Sequence, residues 1–157
     1  MEIYRRYGPA LLRKCERMLG NRPDAEDVVQ GIFVDLYRRG RTDVDLPYLY
    51  RAATSRCLNR IRDSRRRREL LDLHGEVLIS AGPGVPEQRA ISVDLLAQLV
   101  NKLDGKSAEI LVYRYLDQMT GDEIADLLGV SRRAVTKRLT KIRTALEVIA
   151  NNGGGEA

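Results

Sequence analysis

The sequence predicts an all-α protein of two small helical domains joined by a flexible linker. Three observations carry this reading. Apolar residues recur at helical spacing in two blocks, and no strand-like alternation is clearly signalled. Between the blocks, residues 75–87 contain Gly75, Gly82, Pro83, Gly84 and Pro86, a density that no regular element sustains for long. Aromatics are few, with one Phe and no Trp, which suits small bundles better than a β-sandwich. The expected boundaries are 1–68 for the first domain, 69–92 for the linker, 93–150 for the second domain and 151–157 for a disordered tail.

A first amphipathic helix is expected over 2–20, with Leu11, Leu12, Cys15, Met18 and Leu19 apolar. Gly20-Asn21-Arg22-Pro23 breaks it. Asp24 is expected to cap the second helix, because Pro23 cannot lie inside one and a carboxylate accepts from the first free N–H groups. Val28, Val29, Ile32, Phe33 and Leu36 form its apolar face. Residues 40–46 read as a loop, and Pro47 suits the start of a third helix. That helix turns Leu49, Ala52, Ala53, Leu58 and Ile61 inward and its arginines outward. Past the linker, helices are expected over 93–103 and 107–116.

The stretch 120–146, TGDEIADLLGVSRRAVTKRLTKIRTAL, is the most specific. Thr120 with Glu123 makes a capping box. Ile124, Leu127 and Leu128 give an apolar stripe, and Gly129 permits a turn. Ser131 caps a second helix whose Val135, Leu139, Ile142 and Leu146 share one face. Ala125 lets the two helices cross closely, and Val135 plugs the crossing. This predicts a helix-turn-helix. The polar side of its second helix is basic, and no acid interrupts 131–143, so it is suited to a major groove and its phosphates.

Charge is unevenly spread. Residues 48–68 carry +7, with eight arginines against Asp63, and residues 131–143 carry +6, which leaves −8 on the rest of a chain of net +5. Two basic patches on an acidic remainder suggest two contacts with a polyanion. The run of four arginines over 65–68 is read as a backbone contact, because like charges in sequence repel unless phosphates are near. Tyr113 and Tyr115 are read as core or partner-facing side chains rather than stacking platforms.

Several functions are disfavoured. His74 is the only histidine, so no His-based metal site or catalytic triad can be assembled. Cys15 and Cys57 lack paired metal-ligand spacing and are expected to be reduced. Gly105-Lys106-Ser107 resembles the end of a phosphate-binding loop, but Val100 stands where that loop requires glycine. No signal peptide or membrane span is indicated, so a cytoplasmic location is expected, with no membrane insertion. No cofactor, metal or catalytic residue is expected.

Both blocks together resemble the extracytoplasmic-function (ECF) group of the bacterial sigma-70 family. Residues 24–33, DAEDVVQGIF, are similar to its region 2.2. LPYLYRAA from Leu46, running on to NRIR from Asn59, is similar to regions 2.3 and 2.4. ILVYRYL from Ile110, EIA from Glu123, GVS from Gly129 and VTKRL from Val135 are similar to region 4. The resemblance implies a promoter-specificity subunit that binds core RNA polymerase and promoter DNA, and it leaves room for an anti-sigma partner. It implies polymerase docking through Asp27, Gln30 and Phe33, helped by Asp24 and Glu26. It implies melting and reading of the minus-10 element by Arg51, Ser55, Arg56, Asn59, Arg60 and Arg62, with Arg65 and Arg66 of the arginine run beside them. It implies reading of the minus-35 element by Ser131, Arg132, Arg133, Thr136, Lys137 and Arg138, with Lys141 on the same basic helix. The linker would then set the spacing of the two elements. The chain departs from the family at Gly31, where a carboxylate or other helix former is more usual, at Tyr48, where tryptophan is common, and at Ser55, where asparagine is common. Lys106 lies where proline is frequent. Of two alternatives, one is a non-DNA role in which the first block is only an adaptor for polymerase or an inhibitor, against which the basic face of the second block weighs, and the other is a stand-alone LuxR-type regulator that binds duplex DNA without polymerase. The arginines of the first block weigh against it, since a sensing module has no need of them.

Overall fold

The structure, a computed structural model, describes residues 2–70 and 92–154. The described residues contain helices and no strand, as the sequence predicts. The chain divides into two units, Met1–Asp72 and Leu73–Ala157.

The first unit is three helices: α1 (Glu2–Leu19), α2 (Arg22–Arg38) and α3 (Leu46–Leu70). Leu11, Cys15 and Met18 of α1 are buried against Val28, Val29, Ile32 and Leu36 of α2 and Leu49, Ala53, Cys57 and Leu58 of α3. This is burial on the one apolar stripe that each helix carries. The expected cap of α2 is displaced. Asn21, not Asp24, is the N-cap, and its Oδ1 accepts from the Asp24 backbone N–H at 3.0 Å. Pro23 therefore sits inside the first turn, where its missing N–H is no loss because that donor would have no helical partner. Lys14 is fully buried, with its ammonium 4.3 Å from the centre of the Tyr50 ring, so the ring face stabilises a cation withdrawn from water. Cys15 and Cys57 are both buried free thiols. A hydrogen bond to Cys15 and burial push the Cys57 thiol far above its ordinary pKa, which keeps it protonated and unreactive.

The second unit begins where Ser92 caps α4 (Val93–Val100), its hydroxyl accepting from the Leu95 N–H at 3.2 Å. This helix ends short of the expected 103. The next, α5 (Gly105–Leu111), starts earlier than expected because Asp104 caps it, accepting from Ser107 N–H at 2.7 Å. It continues as a π-helical turn over Val112–Leu116 that places Tyr113 in the core, its hydroxyl donating to Glu109 Oε1 at 2.8 Å. The helix-turn-helix is α6 (Gly121–Leu128) and α7 (Arg132–Gly154). Its local devices are those read in the sequence. Thr120 and Glu123 form a reciprocal capping box, Gly129 ends α6 at φ +66°, and Ser131 Oγ accepts from Ala134 N–H at 3.1 Å. Val135 and Ile142 are buried with Ile124 and Ala125 where α6 packs on α7, as expected of a plug and a small residue at a close crossing.

Two helix ends also run past the expected domain bounds. Helix α3 runs to Leu70, two residues into the expected linker, and α7 runs to Gly154, four residues into the expected tail. Neither extension contains a proline to stop it. The remainder of the expected linker through residue 91, including His74, and residues 155–157 lie outside the described residues.

Candidate nucleic-acid interface

On α3 the arginines separate into two sets by helical position. Arg51, Ser55, Asn59, Arg62 and Arg66 follow one another at steps of four, four, three and four, so they share one face. All five are exposed or half-exposed. Arg65 is half-buried at the edge of that face. Arg56 and Arg60 lie on the edge toward α2 and are held there. Arg56 pairs with Asp35. Arg60 Nη2 donates to Asp24 Oδ1 at 2.9 Å and reaches Asp27 Oδ2 at 3.5 Å. The guanidinium of Arg56 holds the Asp35 carboxyl below its ordinary pKa. Thus two of the arginines expected to face DNA neutralise acids of α2, among them two that are expected to face polymerase.

Gly31 has its explanation here. A Cβ at that position would lie 3.0 Å from Arg56 Nη1. The glycine leaves room for the guanidinium that bridges α3 to Asp35.

On α2, Asp27 and Gln30 are exposed and share a stripe with Val34 and Tyr37, which are 46% and 74% exposed. Glu26 is exposed and paired with Arg22 at 3.2 Å. Phe33 does not join this surface. It is 6% exposed, and its ring meets Tyr4 edge-on at 5.1 Å between centroids. Its place on the apolar face read from the sequence outweighs its place in the docking motif. Val34 and Tyr37 are what the sequence reading missed. The signal was there, since steps of four and three from Gln30 put both on the polar side of α2.

On α7 the exposed face is Arg133, Thr136, Lys137, Thr140 and Thr144. Among the described residues Arg133 and Lys137 have no ion-pair partner within 4.0 Å, whereas Arg132 lies 3.5 Å from Asp122 in a pair open to solvent. Each threonine hydroxyl donates at 3.1 Å to the carbonyl four residues earlier: Thr136 to Arg132, Thr140 to Thr136 and Thr144 to Thr140. Ser131 caps the helix and is occupied by Ala134 N–H. Arg138 is turned away from this face. Its Nη1 donates to both Asp104 oxygens, at 2.9 and 3.0 Å, and lies 3.4 Å from Ser107 Oγ. Lys141 Nζ is 3.6 Å from Asp104 Oδ2. The Asp104 carboxyl is held below its ordinary pKa, first by the Ser107 N–H and then by these two cations. Arg138 and Lys141, expected to read duplex DNA, are therefore drawn to the α5 side of the helix.

Among the described residues no group of three or more His, Cys, Asp or Glu side chains could hold a metal ion. Nor is any described helix long and apolar enough to cross a membrane.

Comparison with known proteins matches both units to one family. A family model for Sigma-70 region 2 matches residues 3–67, and one for Sigma-70 region 4 matches residues 94–146. The chain is 30% identical to the ECF RNA polymerase sigma factor SigW of Bacillus subtilis (strain 168), over 89% of this chain and 82% of that protein. It is 28% identical to the RNA polymerase sigma factor NccH of Alcaligenes xylosoxydans xylosoxydans, over 94% and 84%. It is 30% identical to the RNA polymerase sigma factor CnrH of Cupriavidus metallidurans, again over 94% and 84%. The first unit matches a sigma region rather than a sensing module, so the stand-alone LuxR-type reading is not supported.

Proposed function

The chain belongs to the ECF group of the sigma-70 family, which directs transcription, and from that premise we propose that its two units divide promoter recognition between them. The first unit docks on core RNA polymerase through the α2 stripe of Asp27 and Gln30. It holds the melted minus-10 strand along the α3 face of Arg51, Ser55, Asn59, Arg62 and Arg66. The second unit reads the minus-35 duplex through Arg133, Thr136 and Lys137. The observation that carries this reading is the pair of separate cationic faces, one on each unit, each a continuous helical stripe. A melted strand needs cations along its backbone and small polar groups near its bases. A duplex needs a helix whose N-terminal turns reach base edges.

The protein acts by binding and contributes no catalytic residue. The decisive experiment is transcription with purified core polymerase from a promoter carrying both elements. Arg62→Ala is expected to reduce permanganate-reactive open complex while leaving duplex binding close to the parent. Lys137→Ala is expected to weaken duplex binding itself. If both variants lose duplex affinity alone, α3 has no role in strand separation.

A further inference from the structure

We propose that Asp104 is a positioning residue for DNA recognition, holding Arg138 and Lys141 back so that only the N-terminal turns of α7 read the duplex. The inference rests on the reading of α7 as the duplex-binding helix. It adds a specificity determinant on a different element, one that itself makes no DNA contact.

The carboxylate acts in two ways at once. Its Oδ1 accepts the Ser107 N–H at 2.7 Å and so caps α5. That bond anchors the carboxylate independently of either cation. Both oxygens then take Arg138 Nη1, and Oδ2 also faces Lys141 Nζ. A cation held by the carboxylate must give up that contact to meet a phosphate, and although pairs as open as these, with Arg138 and Lys141 side chains 35% and 68% exposed, are weak, the exchange subtracts from what each phosphate contact gains. The helical geometry points the same way. Arg138, Lys141 and Ala145 follow at steps of three and four along the α5-facing edge of α7. Arg133, Lys137, Thr140 and Thr144 form the neighbouring face at steps of four, three and four. Arg138 and Lys141 thus flank the reading face, near enough to reach phosphates if released.

The consequence concerns discrimination. Phosphate contacts strengthen binding to every sequence alike, whereas base-edge contacts separate one sequence from another. By withholding two cations, Asp104 lowers affinity for all DNA and leaves the base-reading contacts a larger share of what remains.

The test uses the full chain assembled with core polymerase, and binding to a minus-35 duplex and to a scrambled duplex across a range of salt. Asp104→Asn keeps a side chain that caps a helix as well as aspartate does, but removes the charge. Asp104→Ser is a second capping variant, and thermal melts check that both fold. Each released cation that finds a phosphate steepens the slope of log K against log salt by about 0.9. Asp104→Asn is therefore expected to steepen the slope by about 0.9 to 1.8, to raise scrambled-duplex binding at low salt and to narrow the preference for the true element. Adding both Arg138→Gln and Lys141→Gln to Asp104→Asn should reverse most of that change. A merely structural role for Asp104 would not move the salt slope. Parental slope and preference in both capping variants, with binding still sensitive to Lys137→Ala, would overturn the role of Asp104 alone. Binding insensitive to both Arg133→Ala and Lys137→Ala would overturn the reading of α7, and this inference with it.

Discussion

Replacing Gly31 by alanine sets a helix-propensity gain against one identified obstacle. Gly31 lies in the interior of α2, where glycine costs about 1 kcal/mol relative to alanine. The added Cβ would stand 3.0 Å from Arg56 Nη1 and meet nothing else within 4 Å. That atom is the far end of a flexible side chain, so it can retreat without moving backbone. Retreat loosens the pair with Asp35, whose side chains are 40% and 42% exposed. A pair this open to solvent is worth about 0–1 kcal/mol. The gain therefore equals or exceeds the loss, and Gly31→Ala should stabilise the protein by between about 0 and 1 kcal/mol. For a unit of this size that raises the melting midpoint by up to roughly 8 °C. Urea titrations monitored by circular dichroism measure it, with Gly31→Ala/Arg56→Ala as the control that removes the obstacle. A loss of more than about 1 kcal/mol in the single variant, restored in the double, would show that Arg56 cannot move and that the bridge to Asp35 is stronger than its exposure implies.

Three further outcomes are expected. Arg133→Ala should reduce discrimination among minus-35 variants by about 1–3 kcal/mol at nearly unchanged salt slope, while Arg143→Ala leaves preference intact; equilibrium titrations over a small panel of mutated elements measure both. Gly129→Ala should cost about 1–2 kcal/mol through backbone strain alone, because φ is +66° and nothing lies within 4 Å of the added Cβ; thermal melts read it. Asp104 is depressed in the folded state, so its stabilising effect is complete above the unfolded carboxylate pKa and is lost as pH falls through the lower folded value. Acid titrations of stability should therefore show a shallower loss for Asp104→Asn below the ordinary carboxylate range than for the parent.

The sequence revealed what is local. The capping box at Thr120, the glycine turn at Gly129 and the cap at Ser131 lie within three residues of their partners or in a single φ angle. Helical periodicity likewise assigned the buried stripes. What it could not reveal lies across the fold. Arg60 finds Asp24 at a separation of 36 residues, and Arg138 finds Asp104 at 34. Seen along the chain, each arginine is only a charge on the outer side of its helix. Which of them turn inward to an acid depends on how neighbouring helices cross, and packing decides that. Lys14 shows the same limit, since only the docking of α3 places the Tyr50 ring over it. Asn21 and Asp24 are both good capping residues three positions apart. The choice between them rested on whether Pro23 could enter the first turn, and it does.

The threonine ladder of α7 gives the upstream element a chemical vocabulary. Thr136 and Thr140 have each committed their only hydroxyl proton to the helix itself. Toward a groove such a hydroxyl has lone pairs to offer, and beside it a methyl group. An exocyclic amine on adenine or cytosine can donate to those lone pairs, and a thymine methyl can pack against the side chain's own. Guanine presents two acceptors in the major groove and has nothing to give them. Under the proposed placement of α7, guanine is best read by the arginine and lysine side chains, and while the threonines keep these internal bonds the base pairs beneath them should favour adenine, thymine or cytosine on the strand they face.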